Sequence, residues 1–154
     1  MRTAFCFLVL FLACSFREEN PRVSINHRTG GCGREIVRKS VQTYTDSCRP
    51  DELRWYYDES NRLLTLHLTA VMAYCGDAVE LAVFKREDRF VMDLSIREVE
   101  ALDCGECVFE PACDVPNVAQ SSVFVEFVDS VYTLNLAADS GFFVLGAPIC
   151  RHLW

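Results

Sequence analysis

Lysine is almost missing from this sequence. Of 154 residues only Lys39 and Lys85 carry it, and 22 acidic side chains outnumber 15 Lys and Arg, for a net charge of −7. Such a chain repels phosphate backbones, so nucleic acid is not an expected partner. No apolar run is long enough to cross a bilayer, which takes about 20 residues. The uncharged stretch from Ala4 to Phe16 has 13. Histidine is confined to positions 27, 67 and 152, and no Gly-x-Ser-x-Gly elbow occurs. General bases for nucleophilic catalysis are therefore scarce, and no catalytic residue is assigned. Repeats, low-complexity tracts and convincing amphipathic helices are missing too, which turns attention to strands.

Half of the chain is nonetheless apolar, which predicts one packed domain rather than disorder. Nine cysteines are far more than a cytosolic domain of this size carries, and they predict an oxidising address. The run from Ala4 to Phe16 agrees with that. Arg2 precedes it and Arg17-Glu18-Glu19-Asn20-Pro21 follows, the layout of a secretory signal. Two endings compete. Ala13-Cys14-Ser15 suits cleavage after Ser15, while Leu10-Phe11-Leu12-Ala13-Cys14-Ser15, with Phe11 where Leu is usual, resembles a lipobox, in which Cys14 becomes a lipidated first residue and membrane anchor. Residues 1–15 are thus expected as the signal peptide or lipoprotein signal. Residues 16–31, charged and then Gly30-Gly31, are expected as a tether, and 32–154 as the domain.

Within that domain the period is two. Leu64, Leu66, Leu68, Ala70 and Met72 share one face of a strand over 63–74, and Thr65, His67 and Thr69 share the other. Phe90, Met92, Leu94 and Ile96 alternate with Val91, Asp93, Ser95 and Arg97. The same holds for Val123, Val125 and Phe127, and for Tyr132, Leu134 and Leu136. Turn residues divide the strands at Asp58-Glu59-Ser60-Asn61, Lys85-Arg86-Glu87-Asp88 and Asp139-Ser140-Gly141. Eight or nine strands of this kind predict an all-β fold, an antiparallel β-sandwich stapled by disulfides.

Seven cysteines lie beyond the leader: Cys32, Cys48, Cys75, Cys104, Cys107, Cys113 and Cys150. If strands alternate up and down, Cys75, Cys104, Cys107, Cys48 and Cys150 fall at one end of the sandwich and Cys32 and Cys113 at the other. The expected bridges are then Cys32–Cys113 and two among the other five, with Cys75 joined to Cys104 or Cys107. The odd thiol stays free or links two copies as a disulfide homodimer. Cys104-Gly105-Glu106-Cys107 has the spacing of thiol oxidoreductases, but Pro111 forbids the long helix that activates such a thiolate. Zinc on Cys104, Cys107 and Cys113 with a histidine lacks a second knuckle, and Asp103, Glu106, Glu110 and Asp114 match no calcium loop. No metal or cofactor is expected. Arg54-Trp55-Tyr56-Tyr57 reads as a core-filling strand before it reads as a binding platform.

From Asn61 to Val128 the chain resembles uncharacterised secreted bacterial β-sandwich proteins of a lipoprotein-like group. Leu64-Thr65-Leu66 with Cys75-Gly76, and Cys107-Val108-Phe109-Glu110 continuing to Asp114-Val115-Pro116-Asn117-Val118, carry the resemblance. Gly76 stands where the group has a second Cys, and Pro111 and Cys113 interrupt the later block. The resemblance implies the sandwich and a bond from Cys75 to the 104–107 loop, and no catalytic residue. The function expected is a structural or ligand-binding role in the cell envelope or outside the cell, ligand unknown. The alternative is a thiol–disulfide or metal-dependent envelope enzyme centred on Cys104 and Cys107.

Overall fold

The computed structural model describes residues 20–29, 52–74, 76–99 and 106–145. Cys14, Cys32, Cys48, Cys75, Cys104 and Cys150, with the leader, lie outside the described residues. Among the described residues eleven strands run in chain order: β1 Ile25–Arg28, β2 Glu52–Asp58, β3 Leu63–Leu68, β4 Val71–Tyr74, β5 Asp77–Arg86, β6 Arg89–Glu98, β7 Glu106–Phe109, β8 Ala112–Val115, β9 Ser122–Phe127, β10 Ser130–Asn135 and β11 Ser140–Val144. They form a five-stranded sheet β1-β8-β3-β2-β11, a four-stranded sheet β10-β9-β6-β5 and the pair β4-β7. The all-β prediction holds, with two sheets packed on one core.

Alternation explains that packing. Leu53 and Trp55 of β2 and Leu64, Leu66 and Leu68 of β3 point inward from the five-stranded sheet. Val79, Leu81 and Val83 of β5, Phe90 and Met92 of β6, and Val123 and Val125 of β9 meet them from the other sheet. Burying one such side chain contributes about 1.5–3 kcal/mol, so this shared core dominates the stability.

Three expectations change. The strand predicted over 63–74 breaks at Ala70, whose φ of 58° lies in the left-handed region. The break shifts the inward phase by one residue, so Val71 and Ala73 are buried where Ala70 and Met72 were expected, and β4 leaves the sheet to pair with β7. Not every strand pair is antiparallel. Arg89, Phe90 and Val91 of β6 run parallel to Phe124, Val125 and Glu126 of β9, because the chain crosses through β7 and β8 before returning. Nor is the segment 16–31 a tether throughout, since β1 is the outermost strand of the five-stranded sheet.

The chain before β1 also closes the other sheet. Val23 N–H donates to the Val83 carbonyl (2.8 Å), and Lys85 N–H donates to the Pro21 carbonyl (3.0 Å). Val83 N–H donates to Ser24 Oγ (2.8 Å), and Ser24 is buried. Residues 21–28 therefore strap the β5 edge of one sheet to β8 of the other.

The β9–β10 hairpin turns on Val128 and Asp129, with φ of 46° and 60°. A β-branched side chain is strained there, and left-handed backbone costs an L-residue about 1–2 kcal/mol. Val128 is 70% exposed, so it packs on little that would offset the strain. Val128→Asn is expected to raise stability by about 1 kcal/mol, seen as a higher urea midpoint with an unchanged m-value.

Candidate functional site

The outward face of the five-stranded sheet gathers polar and aromatic side chains in rows set by strand register. One row runs Ala112, His67, Arg54, Phe142 across β8, β3, β2 and β11. The next runs Asp114, Thr65, Tyr56, Ser140. The β11 end is apolar and open, with Phe142 62%, Val144 55% and Tyr56 49% exposed. Beside it, Arg54 donates to Glu52 through Nε (2.9 Å) and lies within 2.8 Å through Nη2. Two fixed bonds hold the guanidinium at a locally neutral position.

His67 sits half-buried in mid-row, with Nε2 at 3.8 Å from Glu110 Oε2. Burial pushes the pKa of its imidazole down, Glu110 pulls it up, and Arg54 and Arg28 push it further down. The net direction is downward, so the neutral ring predominates at pH 7.

The β1 end of the face is closed by a buried carboxylate. Asp114 accepts from Arg28 Nη2 (2.8 Å) and Nη1 (3.0 Å), from Thr65 Oγ1 (2.8 Å) and from Asn26 Nδ2 (3.0 Å). The Arg28 guanidinium holds its pKa down at about 2, with Thr65 and Asn26 adding to Arg28 against the cost of burial. Asp114, one of four carboxylates that match no calcium loop, is the clamp that fixes β1. A lone acid inside Ala112-Cys113-Asp114-Val115 was the available signal, since a carboxylate in an apolar run must find donors.

The sulfur residues that can be placed divide between strands. Cys107 stands on β7 opposite Ala73, so a strand, not the first turn of a helix, carries that end of the C-x-x-C. Cys113 was expected toward one end of the sandwich, bridged to Cys32. It lies in mid-strand opposite Leu66, fully buried, and its thiol is free. Burial pushes its pKa up to about 12, helped by the neighbouring Asp114 charge, so it is an inert core thiol at neutral pH.

These placements separate the residues of the metal alternatives. Cys113 faces the core and His67 faces outward from the adjacent strand, so the two cannot share an ion. His27 donates from Nδ1 to the Leu81 carbonyl (2.8 Å). Asp114 is committed to Arg28, Thr65 and Asn26. Among the described residues no three His, Cys, Asp or Glu side chains form a metal-binding group. Of the three aromatics in Arg54-Trp55-Tyr56-Tyr57, Trp55 is buried, Tyr57 donates its hydroxyl to the Val118 carbonyl (2.7 Å), and Tyr56 stands open.

Comparison with protein-family models, with curated proteins and with solved structures finds no match for this chain.

Proposed function

We propose that this chain is an exported β-sandwich, anchored to a membrane by lipid on Cys14, that works by binding rather than by catalysis. The observation that carries the address is the uncharged run from Ala4 ending in Ala13-Cys14-Ser15, on a chain with nine cysteines. Bridges between Cys75 and Cys104 or Cys107, and among the remaining cysteines other than Cys113, belong to the same reading. The resemblance of Asn61 to Val128 to secreted lipoprotein-like sandwiches also supports it.

The binding surface in this reading is the outward face around Arg54, Tyr56, Phe142 and Val144. Its side chains are exposed, its charge is paired, and its relief is that of a sheet, which suits a flat or extended partner. Cys107 on a strand supports binding over thiol–disulfide exchange, because the activated thiolate of such enzymes stands at a helix N-terminus.

Mass spectrometry of the intact mature protein is the test. The expected result is a Cys14 N-terminus carrying lipid, with Cys113 among the thiols that remain free. An unmodified N-terminus at Phe16 would overturn the anchor, and catalysis of insulin reduction would overturn the non-enzymatic reading.

A further inference from the structure

The edges of the two sheets are treated unequally. The free side of β5 is covered by Pro21–Ser24 through the backbone bonds given above. At the opposite edge of that sheet lies β10, uncharged as well, but its free side carries Val131, Thr133 and Asn135, of which only Val131 is apolar. The outermost strand β1 is four residues long, carries His27 and Arg28, and breaks register between Ile25 and Arg28. Short length, charge and irregularity are the devices that keep an edge from pairing with another chain.

β11 has none of them. Ser140-Gly141-Phe142-Phe143-Val144 holds no charge and no proline, and it pairs with β2 residue by residue without a break. Tyr57 N–H donates to the Asp139 carbonyl (2.7 Å), so Asp139, Gly141 and Phe143 aim their backbone groups at β2. The backbone N–H and C=O of Ser140, Phe142 and Val144 then face away from the sheet, where no described strand meets them. Phe142 and Val144 are also the exposed apolar side chains of this strand.

We infer that β11 is a dimerisation edge: two copies of this chain pair antiparallel through β11 about a twofold axis at Phe142, making one continuous sheet. The inference rests on the binding reading above and names its partner. Unpaired backbone groups call for an extended strand rather than a small ligand. The strand is also its own complement. About that axis Phe142 meets Phe142 of the second copy, Ser140 meets Val144, and Gly141 meets Phe143. An aromatic cross-strand pair is favourable, and no like charges come opposite each other. Asp139 precedes the strand and falls opposite Leu145 of the second copy in this pairing, and Arg54 and Glu52 beside the strand neutralise each other.

Sedimentation equilibrium of the mature full chain in density-matched detergent reads the result directly. The expected mass is that of a dimer, halved by Phe142→Lys or Val144→Lys and left unchanged by Val131→Lys on β10. Denaturing, non-reducing electrophoresis separates this contact from a disulfide link between copies. Hydrogen exchange adds a local readout: the amides of Ser140, Phe142 and Val144 should be slow in the native dimer and fast in the Phe142→Lys monomer. A monomer at all concentrations would overturn the inference, as would a dimer indifferent to Phe142→Lys. Equal protection of those amides in the monomer would do so too, by showing the edge paired within its own chain. The two readings fail separately, since an unlipidated mature chain can still dimerise and a lipidated one can remain monomeric.

Discussion

Replacing Asp114 by alanine is expected to cost about 3 kcal/mol, near the lower end of what breaking a buried ion pair costs. The side chain of Asp114 is 6% exposed and that of Arg28 is 48% exposed, so the orphaned guanidinium recovers part of its hydration. What is lost is the clamp on β1. Thr65 and Asn26 lose their acceptor in the same step, and β1 has little apolar contact to hold it, since all four residues are exposed. The same site sets a pH dependence. A carboxyl held at about 2 in the folded chain and near 3.8 otherwise gives stability that is complete above about pH 4 and lost as pH falls toward 2. The size is about 2 kcal/mol. Urea midpoints measured down this range should fall more steeply for the native chain than for Asp114→Asn, whose side chain does not ionise. Parallel curves would show that Asp114 does not carry the effect. Arg28→Ala combined with Asp114→Ala should cost less than the two changes separately, because both remove one interaction.

How much of this was legible in the sequence follows from which faces are covered. β6, β9 and β10 were readable because one side packs and the other meets solvent, so Phe90 and Met92, Val123 and Val125, and Leu134 alternate with polar residues. β8 gave no such signal, because all four of Ala112–Val115 are buried on both sides. Position 70 defeated the pattern in another way. Alanine carries no mark of left-handed backbone, so the phase shift into β4 was invisible until the dihedral was known. The strand β1 was hidden because its hold on the sheet is polar, through Asn26 and Arg28, and not apolar. For the surface, Arg54-Trp55-Tyr56-Tyr57 reads first as a core-filling strand, and His67 falls on the polar face of its strand. Phe142 belongs to an apolar run, Phe142-Phe143-Val144-Leu145, that carries no alternation of its own. Only register shows that Phe143 and Leu145 turn inward and Phe142 and Val144 outward.

Gly141→Ala is expected to destabilise the fold by about 2 kcal/mol although it adds a single methyl group. Gly141 of β11 sits directly opposite Trp55 of β2, and the indole lies across it. A Cβ built at Gly141 would meet Trp55 Nε1 at 2.7 Å and Cε2 and Cζ2 at 2.8 Å, far inside contact distance. Trp55 is 4% exposed and packed in the core, so the ring has little room to withdraw. The strain falls on β11, which is bonded on one side and otherwise held by Phe143 against Tyr132, with ring centroids 5.1 Å apart. Slow amides along Gly141–Phe143 should therefore exchange faster before the rest of the sheet is affected. A second substitution separates this cause from a general loss of packing. Trp55→Phe removes the fused ring that crowds position 141, so Gly141→Ala should cost about 1 kcal/mol less in that background. An equal cost in both backgrounds would mean that the contact with the indole is not what requires glycine at 141.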